Sequence, residues 1–274
     1  MRSNDQIREH YEIEVELANR LKQSTKKERI GDGLYTKVYD ELLERVPHHQ
    51  LLSKKKDADR SIKPILWQLA LVKRFLTGRE VFLEVGAGDC ALSFKACPLA
   101  ERVYGLDVSN VITEADSHPS NFDLIISDGV SVPLPDSSVD VAYSNQLMEH
   151  VHPDDAKEQL AEIVRVLAPG GRYVCVTPNK ANGPWDISYY FDDMARGFHL
   201  KEYTASELVD LFKQAGLKNY RAYIGARSYY MRFPVVFIIA LEKLIMSLPG
   251  NLRLSLGRSL PVRAILGVRL VGIK

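Results

Sequence analysis

"VFLEVGAGDCALSF", residues 81–94, decides the fold. Five residues of β-forming, mostly apolar character run into Gly-Ala-Gly, and a helix-compatible stretch follows. This is the signature of a buried strand, a sharp turn and the start of a helix. Gly86 and Gly88 let the backbone turn and leave no side chain in a ligand's way, while the next helix aims its amides at the same space. Asp107 closes the next strand, "RVYGLD" (102–107), 19 residues after Gly88. A carboxylate there can accept two hydrogen bonds from a ribose diol.

Outward from this turn, "FDLIIS" (122–127), "VDVAYS" (139–144) and "RYVCVT" (172–177) read as further short strands. "PDDAKEQLAEIVRVL", with Pro153 at its first position, and "TASELVDLFKQAG", with Thr204 and Glu207 spaced as a capping box, read as helices between strands. "LKNYRAYIG" and "ILGVRLVGI" supply two more strands. Alternating strands and helices predict an α/β fold with a seven-stranded, mostly parallel Rossmann-like sheet. The spacing of Ile7, Tyr11, Val15, Leu17 and Leu21, and of two later segments, predicts helices through residues 6–77, the third ending at Gly78. The expected organisation is a helical extension over 1–78, a core over 79–227, a helical cap insertion over 228–263 and a last core strand over 264–274.

The turn by itself fits two ligands. "GAGDCA" satisfies the loose dinucleotide pattern G-x-G-x-x-G/A, but no Tyr-x-x-x-Lys pair accompanies it. Glu84, inside the first strand, needs a cationic or hydrogen-bonding partner. Asp128 and Gly129, after the third strand, offer an acceptor for an adenine amino group and an amide for a ring nitrogen. "FLEVGAGDC", "YGLDVS", "ISDGVSVPLPDSSVDVAYSNQLMEHV" and "VLAPGGRYVCVTPN" together resemble successive motifs of class I S-adenosylmethionine-dependent methyltransferases of the type 11-like kind, in order over about residues 80–220. The resemblance implies that S-adenosyl-L-methionine is the cofactor. Glu84 would then help hold the methionine ammonium, Gly86 and Gly88 pass under the cofactor, and Asp107 bind the ribose. Asp128 and Gly129 would meet the adenine, and Asn145 the methionine end. The family's frequent third glycine is Cys90 here.

Methyl transfer needs alignment more than acid–base power, but a hydroxyl acceptor also needs a base. His150 and His152 follow the fourth strand, and His199 lies in the aromatic-rich segment 178–203; His150 and His199 are the candidate catalytic residues. No H-x-x-x-H pair or carboxylate cluster calls for a metal, so none is expected. Cys90, Cys97 and Cys175 form no C-x-x-C pair, which argues against disulfides and for a reducing, cytoplasmic setting.

Net charge is +1, yet residues 221–274 carry nine basic side chains and one acid, Glu242. This asymmetry points to an anionic partner. The apolar stretch "FPVVFIIALEKLIMSLP" beside those arginines suits an anionic or lipid-like substrate or a peripheral membrane contact through 228–263; the aromatics are not interleaved with the basic residues, so nucleic acid is not expected. The expected partner is a small-molecule acceptor that receives a methyl group, with O-methylation favoured. An NAD-dependent dehydrogenase and a non-catalytic cofactor-binding scaffold stay open as alternatives.

Overall fold

A computed structural model of the chain describes residues 2–49, 58–109 and 118–274. Residues 50–57, within the stretch read as helical, lie outside the described residues. Among the described residues, three α-helices precede the sheet: α1 (Asn4–Gln23), α2 (Leu34–Arg45) and α3 (Ala58–Val72). Ser3 and Gln6 cap α1 reciprocally. The third helix stops at Val72, six residues before the expected Gly78. Gly78 instead takes φ +98° in the following turn, where its amide donates to the Leu99 carbonyl.

The core then runs through β1 (Val81–Val85), α4 (Ala91–Ala96), β2 (Arg102–Asp107), β3 (Phe122–Ile126), β4 (Val139–Asn145), α5 (Pro153–Val166), β5 (Leu167–Thr177), α6 (Ala205–Gln214) and β6 (Lys218–Ala226). It finishes with β7 (Tyr229–Phe233), α7 (Val235–Met246), α8 (Gly250–Gly257), α9 (Leu260–Leu266) and β8 (Val268–Ile273). The sheet order is β3-β2-β1-β4-β5-β8-β6-β7. β3, β2, β1, β4 and β5 are parallel neighbours, and β8 inserts antiparallel between β5 and β6. The sheet therefore has eight strands where seven were expected. The extra one, β7, is an antiparallel hairpin partner of β6 at the sheet's edge. Tyr230 and Phe233 pack against the core clusters while Tyr229 and Met231 are exposed, so no period-two alternation marks it as a strand.

Period-two alternation in β1 divides the core. Phe82 faces α3 and α4, while Leu83 and Val85 face the layer that contains α5 and α6. Strand order reverses between β1 and β4, so the carboxyl ends of these strands open a crevice, the usual ligand position in such sheets.

The N-terminal helices close one side of this crevice. Ile13, Leu17, Leu21, Val38 and Leu42 form their own buried cluster with Phe198. A buried ion pair locks the cluster to the core. Arg29 Nε and Nη2 donate to the two Asp155 carboxylate oxygens at 2.6 and 2.9 Å. The Tyr35 hydroxyl donates to Asp155 at 2.7 Å and accepts the His152 amide at 2.9 Å. Burial alone would raise the Asp155 carboxyl, but the hydrogen bonds from Arg29 and Tyr35 outweigh it and hold Asp155 below the usual carboxylate range.

Because Asp155 has a lowered folded-state pKa, its contribution to stability is fully present above the unfolded value of about 3.9 and is lost as pH falls through the folded value. Asp155→Ala should destabilise the fold by about 3–5 kcal/mol, since Arg29 would be left buried and uncompensated. Urea unfolding at pH 7 measures this, and the difference between wild type and variant should shrink as pH drops below about 4.

Candidate functional site

A cavity of about 430 Å³ opens at the carboxyl ends of β1, β2 and β4. Gly86, Gly88, Asp107, Gly129, Asn145 and His150 all line it, so six of the nine residues singled out from the sequence converge there. Gly86 takes φ +75° and Gly88 φ +54°. A Cβ on Gly86 would meet the Leu147 side chain at 3.1 Å, whereas one on Gly88 would meet no described atom within 4 Å. Gly86 thus needs glycine for both backbone and space, Gly88 for backbone. Cys90, at the position of the third glycine, is itself left-handed with φ 57° and fully buried. The backbone conformation that glycine favours is present, and a small side chain tolerates it.

Asp107 shapes the turn as it faces the cavity. One carboxylate oxygen accepts the Gly88 amide at 2.7 Å, and the other accepts the Val108 and Ser109 amides at 2.8 and 3.2 Å. Burial raises its pKa against these three bonds. On the opposite side, the cavity is walled by Tyr35, Tyr39, Asp40 and Leu43 of α2. Their role was not legible in the sequence, where α2 reads only as an amphipathic helix. Gln159 of α5 also lines the cavity, and its side-chain amide donates to the Gly129 carbonyl at 2.6 Å.

Three expected residues stand outside. Glu84 lies on the Phe82 face of β1, beneath the glycine turn, and accepts the Ser93 hydroxyl at 2.6 Å. Burial pushes its carboxyl up to about 8. It supports the turn from behind and does not reach the cavity. Asp128 spends both oxygens on its own turn, accepting the Val130 and Ser131 amides and the Ser131 hydroxyl at 2.7–2.8 Å. Burial would raise its pKa, but these bonds lower it. Its turn carries Gly129, which lines the cavity.

His199 is the third. It sits behind His150, with ring centroids 4.9 Å apart in an edge-on arrangement. Its Nδ1–H donates to Glu202 at 2.7 Å. Burial opposes its protonation, but Glu202 and Glu149 outweigh that and raise its pKa. His150 donates from Nδ1 to the Phe198 carbonyl at 3.0 Å, which places its lone pair on Nε2. Burial, reinforced by His199, lowers the His150 pKa to about 3. Glu149, next to His150 in sequence and with a ligand atom within 4.8 Å of one on each histidine, accepts the Thr177 hydroxyl at 2.9 Å, and burial pushes it up to about 7.

The insertion does not cover this cavity, contrary to expectation. None of residues 228–263 lines it. The inner sides of α7 and α9 (Ile238, Ile245 and Leu266) pack into the core layer shared with α6 and β8, at the far end of the sheet.

Comparisons with known proteins agree with this geometry. Residues 83–175 match the methyltransferase domain family. A probable S-adenosylmethionine-dependent methyltransferase of Mycolicibacterium smegmatis is 33% identical over 142 residues, covering 52% of this chain and 52% of that protein. The ubiquinone/menaquinone biosynthesis C-methyltransferase of Desulfotalea psychrophila is 30% identical over 162 residues, covering 51% of this chain and 65% of that one. The matches thus span only about half to two-thirds of these relatives' length. A methyltransferase structure from Archaeoglobus fulgidus superposes with a TM-score of 0.54 over 82% of this chain and 100% of its own, at 16% identity, which is a likeness of fold. Residues 83–175 thus match a methyltransferase domain, and the strand order and superposition are those of a Rossmann-like methyltransferase fold.

Proposed function

We propose that this chain transfers the methyl group of S-adenosyl-L-methionine to a small organic acceptor held between the glycine turn and α2. The observation that carries this reading is the convergence of Gly86, Gly88, Asp107, Gly129, Asn145 and His150 on one cavity. In this reading the Gly86–Gly88 backbone passes under the cofactor, Asp107 accepts from the ribose hydroxyls, and the Gly129 amide meets the adenine ring. Asn145 borders the methionine end. Glu84 and Asp128 act as positioning residues, through Ser93 and the 128–131 turn.

The reacting carbon is already activated as part of a sulfonium, so the protein's main contribution is alignment in a site shielded from water. The aromatic wall of Tyr35 and Tyr39 provides the shielding and favours an acceptor with apolar character. His150 lines the cavity, with its Nδ1–H held by the Phe198 carbonyl, so its Nε2 side favours an acceptor bearing a hydroxyl as a point of attachment, while burial keeps it a weak base. The D. psychrophila relative is named for methylation at carbon on a quinone, so an aromatic or lipid-like acceptor is the substrate class to try first.

The basic C-terminal segment bears on where such an acceptor is met. Glu242, its one acid, is buried and accepts from Asn179, Ala205 and Ser206, so it caps α6 and adds no charge to the surface. The exposed face therefore combines Val236, Phe237, Leu244, Leu252, Leu256 and Leu260 with Lys243 and no acid. Apolar surface set among cations suits the interface of an anionic membrane. No described helix is long and apolar enough to cross one. Because the segment does not line the cavity, a membrane accounts for its charge better than a small anionic substrate does.

Calorimetric titration should show binding of S-adenosylmethionine and none of reduced nicotinamide dinucleotide; the reverse result would replace this reading with a dehydrogenase. Asp107→Ala should weaken cofactor binding by about 1.5–3 kcal/mol, because a charged acceptor is lost. Unchanged affinity in a folded variant would remove the ribose assignment. For the surface, the protein should sediment with anionic vesicles in a salt-sensitive manner and not with neutral ones, and Phe237→Glu should reduce that binding at least tenfold. Absence of sedimentation with either vesicle would remove the membrane assignment.

A further inference from the structure

Beside the cavity, Glu149, His150 and His199 each present one ligand atom within 4.8 Å of the other two. Glu149 and His150 lie in the turn after β4, and His199 comes from the 178–203 segment. Each is anchored through its other polar atom. His150 Nδ1–H is held by the Phe198 carbonyl, His199 Nδ1–H by the Glu202 carboxylate, and one Glu149 oxygen by the Thr177 hydroxyl. That leaves one donor atom per residue. Glu149 Oε1 is buried without a hydrogen-bond partner among the described residues, in a side chain that is fully buried. An isolated buried acceptor of this kind is expensive and calls for an explanation.

Histidines whose Nδ1–H is fixed by a carbonyl or carboxylate, so that Nε2 is aimed and basic, are the usual outer arrangement of a metal site. Ligands on one tetrahedral ion lie about 3.4 Å apart, given bonds of about 2.0–2.2 Å. Side-chain rotations that shorten the spacings, now within 4.8 Å, by up to about 1.4 Å would bring the three atoms into range.

We propose that Glu149, His150 and His199 bind a divalent transition cation. The two-histidine, one-carboxylate set suits an ion such as Zn²⁺ or Co²⁺ and leaves at least one coordination position open. His150 lines the cavity, so the open position faces the space where the acceptor is placed and offers an anchor for an acceptor oxygen. That use rests on the methyl-transfer reading; the binding of the ion does not. The ion would also tie the 178–203 segment to the end of β4, next to the hydrogen bond from the Lys201 amide to the Glu149 carbonyl. Sequence spacing gave no sign of the set, because His199 is 49 residues from His150.

The test is titration of chelator-treated protein with Co²⁺ and Zn²⁺ alone, followed by calorimetry and by the visible absorption of bound Co²⁺. One ion per chain is expected, with absorption bands indicating nitrogen and oxygen ligands. Glu149→Gln and His199→Gln should each weaken binding at least tenfold while cofactor affinity stays within about twofold. A second group, His10, Glu14 and His49, also places ligand atoms within 4.8 Å of one another, so His49→Ala serves as the control and should retain the ion. Should the Glu149 and His199 variants fail to fold, the wild type decides: its melting temperature should rise with Zn²⁺. No stoichiometric binding, no melting shift, or binding lost in His49→Ala and kept in His199→Gln would overturn the proposal. Metal binding in a wild type that fails to bind S-adenosylmethionine would instead remove the methyl-transfer reading and leave the metal site standing.

Discussion

The Arg29–Asp155 pair is the constraint on which the site's shape depends. Removing two charges from water is costly, and the attraction offsets that cost only when the geometry is good and the remaining polar atoms are satisfied. Here the pairing is bidentate, the Tyr35 hydroxyl fills a further position on Asp155, and Asp155 lies in the first turn of α5, where the helix dipole favours an anion. The same Tyr35 lines the cavity. The network therefore fixes α2 relative to the ends of β1, β2 and β4, and the aromatic wall depends on a buried ion pair that does not itself line the cavity.

Buried and half-buried acids recur near the cavity, and each does a positioning job. Glu84 holds Ser93 at the start of α4, Asp128 holds its own turn, Glu202 holds His199 and the Trp185 amide, and Glu14 holds the Phe198 amide. Phe198 in turn accepts from His150 and stacks near Tyr39, with ring centroids 4.9 Å apart. The N-terminal helices thus reach His150 through a chain of hydrogen bonds and ring contacts. This is the kind of outer support that keeps a reacting geometry within a fraction of an ångström.

The far end of the sheet follows a different logic. Glu242 is consumed in capping α6, which leaves the insertion's surface without a negative charge. Arg258 and Arg263 lie over the rings of Tyr189 and Trp185, at 4.2 and 4.9 Å from the centroids. Those contacts join the insertion to the 178–203 segment, so the basic surface and the segment that carries His199 form one packed unit.

Much of the fold was legible from residues close together in the chain. Alternating apolar runs marked β1 to β6 and β8, Pro153 and the Thr204–Glu207 pair marked two helix starts, and Gly86 and Gly88 marked the turn, because each signal depends on local backbone preference. β7 was missed because its Tyr-Tyr-Met-Arg-Phe run shows no period-two alternation of apolar and polar residues. The lining residues already visible were those at strand ends, where position along the chain dictates position in space. What the tertiary structure alone decided was direction and company. Glu84 does not line the cavity because it shares a face with Phe82 and bonds Ser93; Asp128 is held by three donors of its own loop. Tyr39 reaches the cavity, and His199 reaches Glu149, through contacts between segments far apart in sequence. Local patterns carry no information about such distances, since they are set by how the packed layers meet.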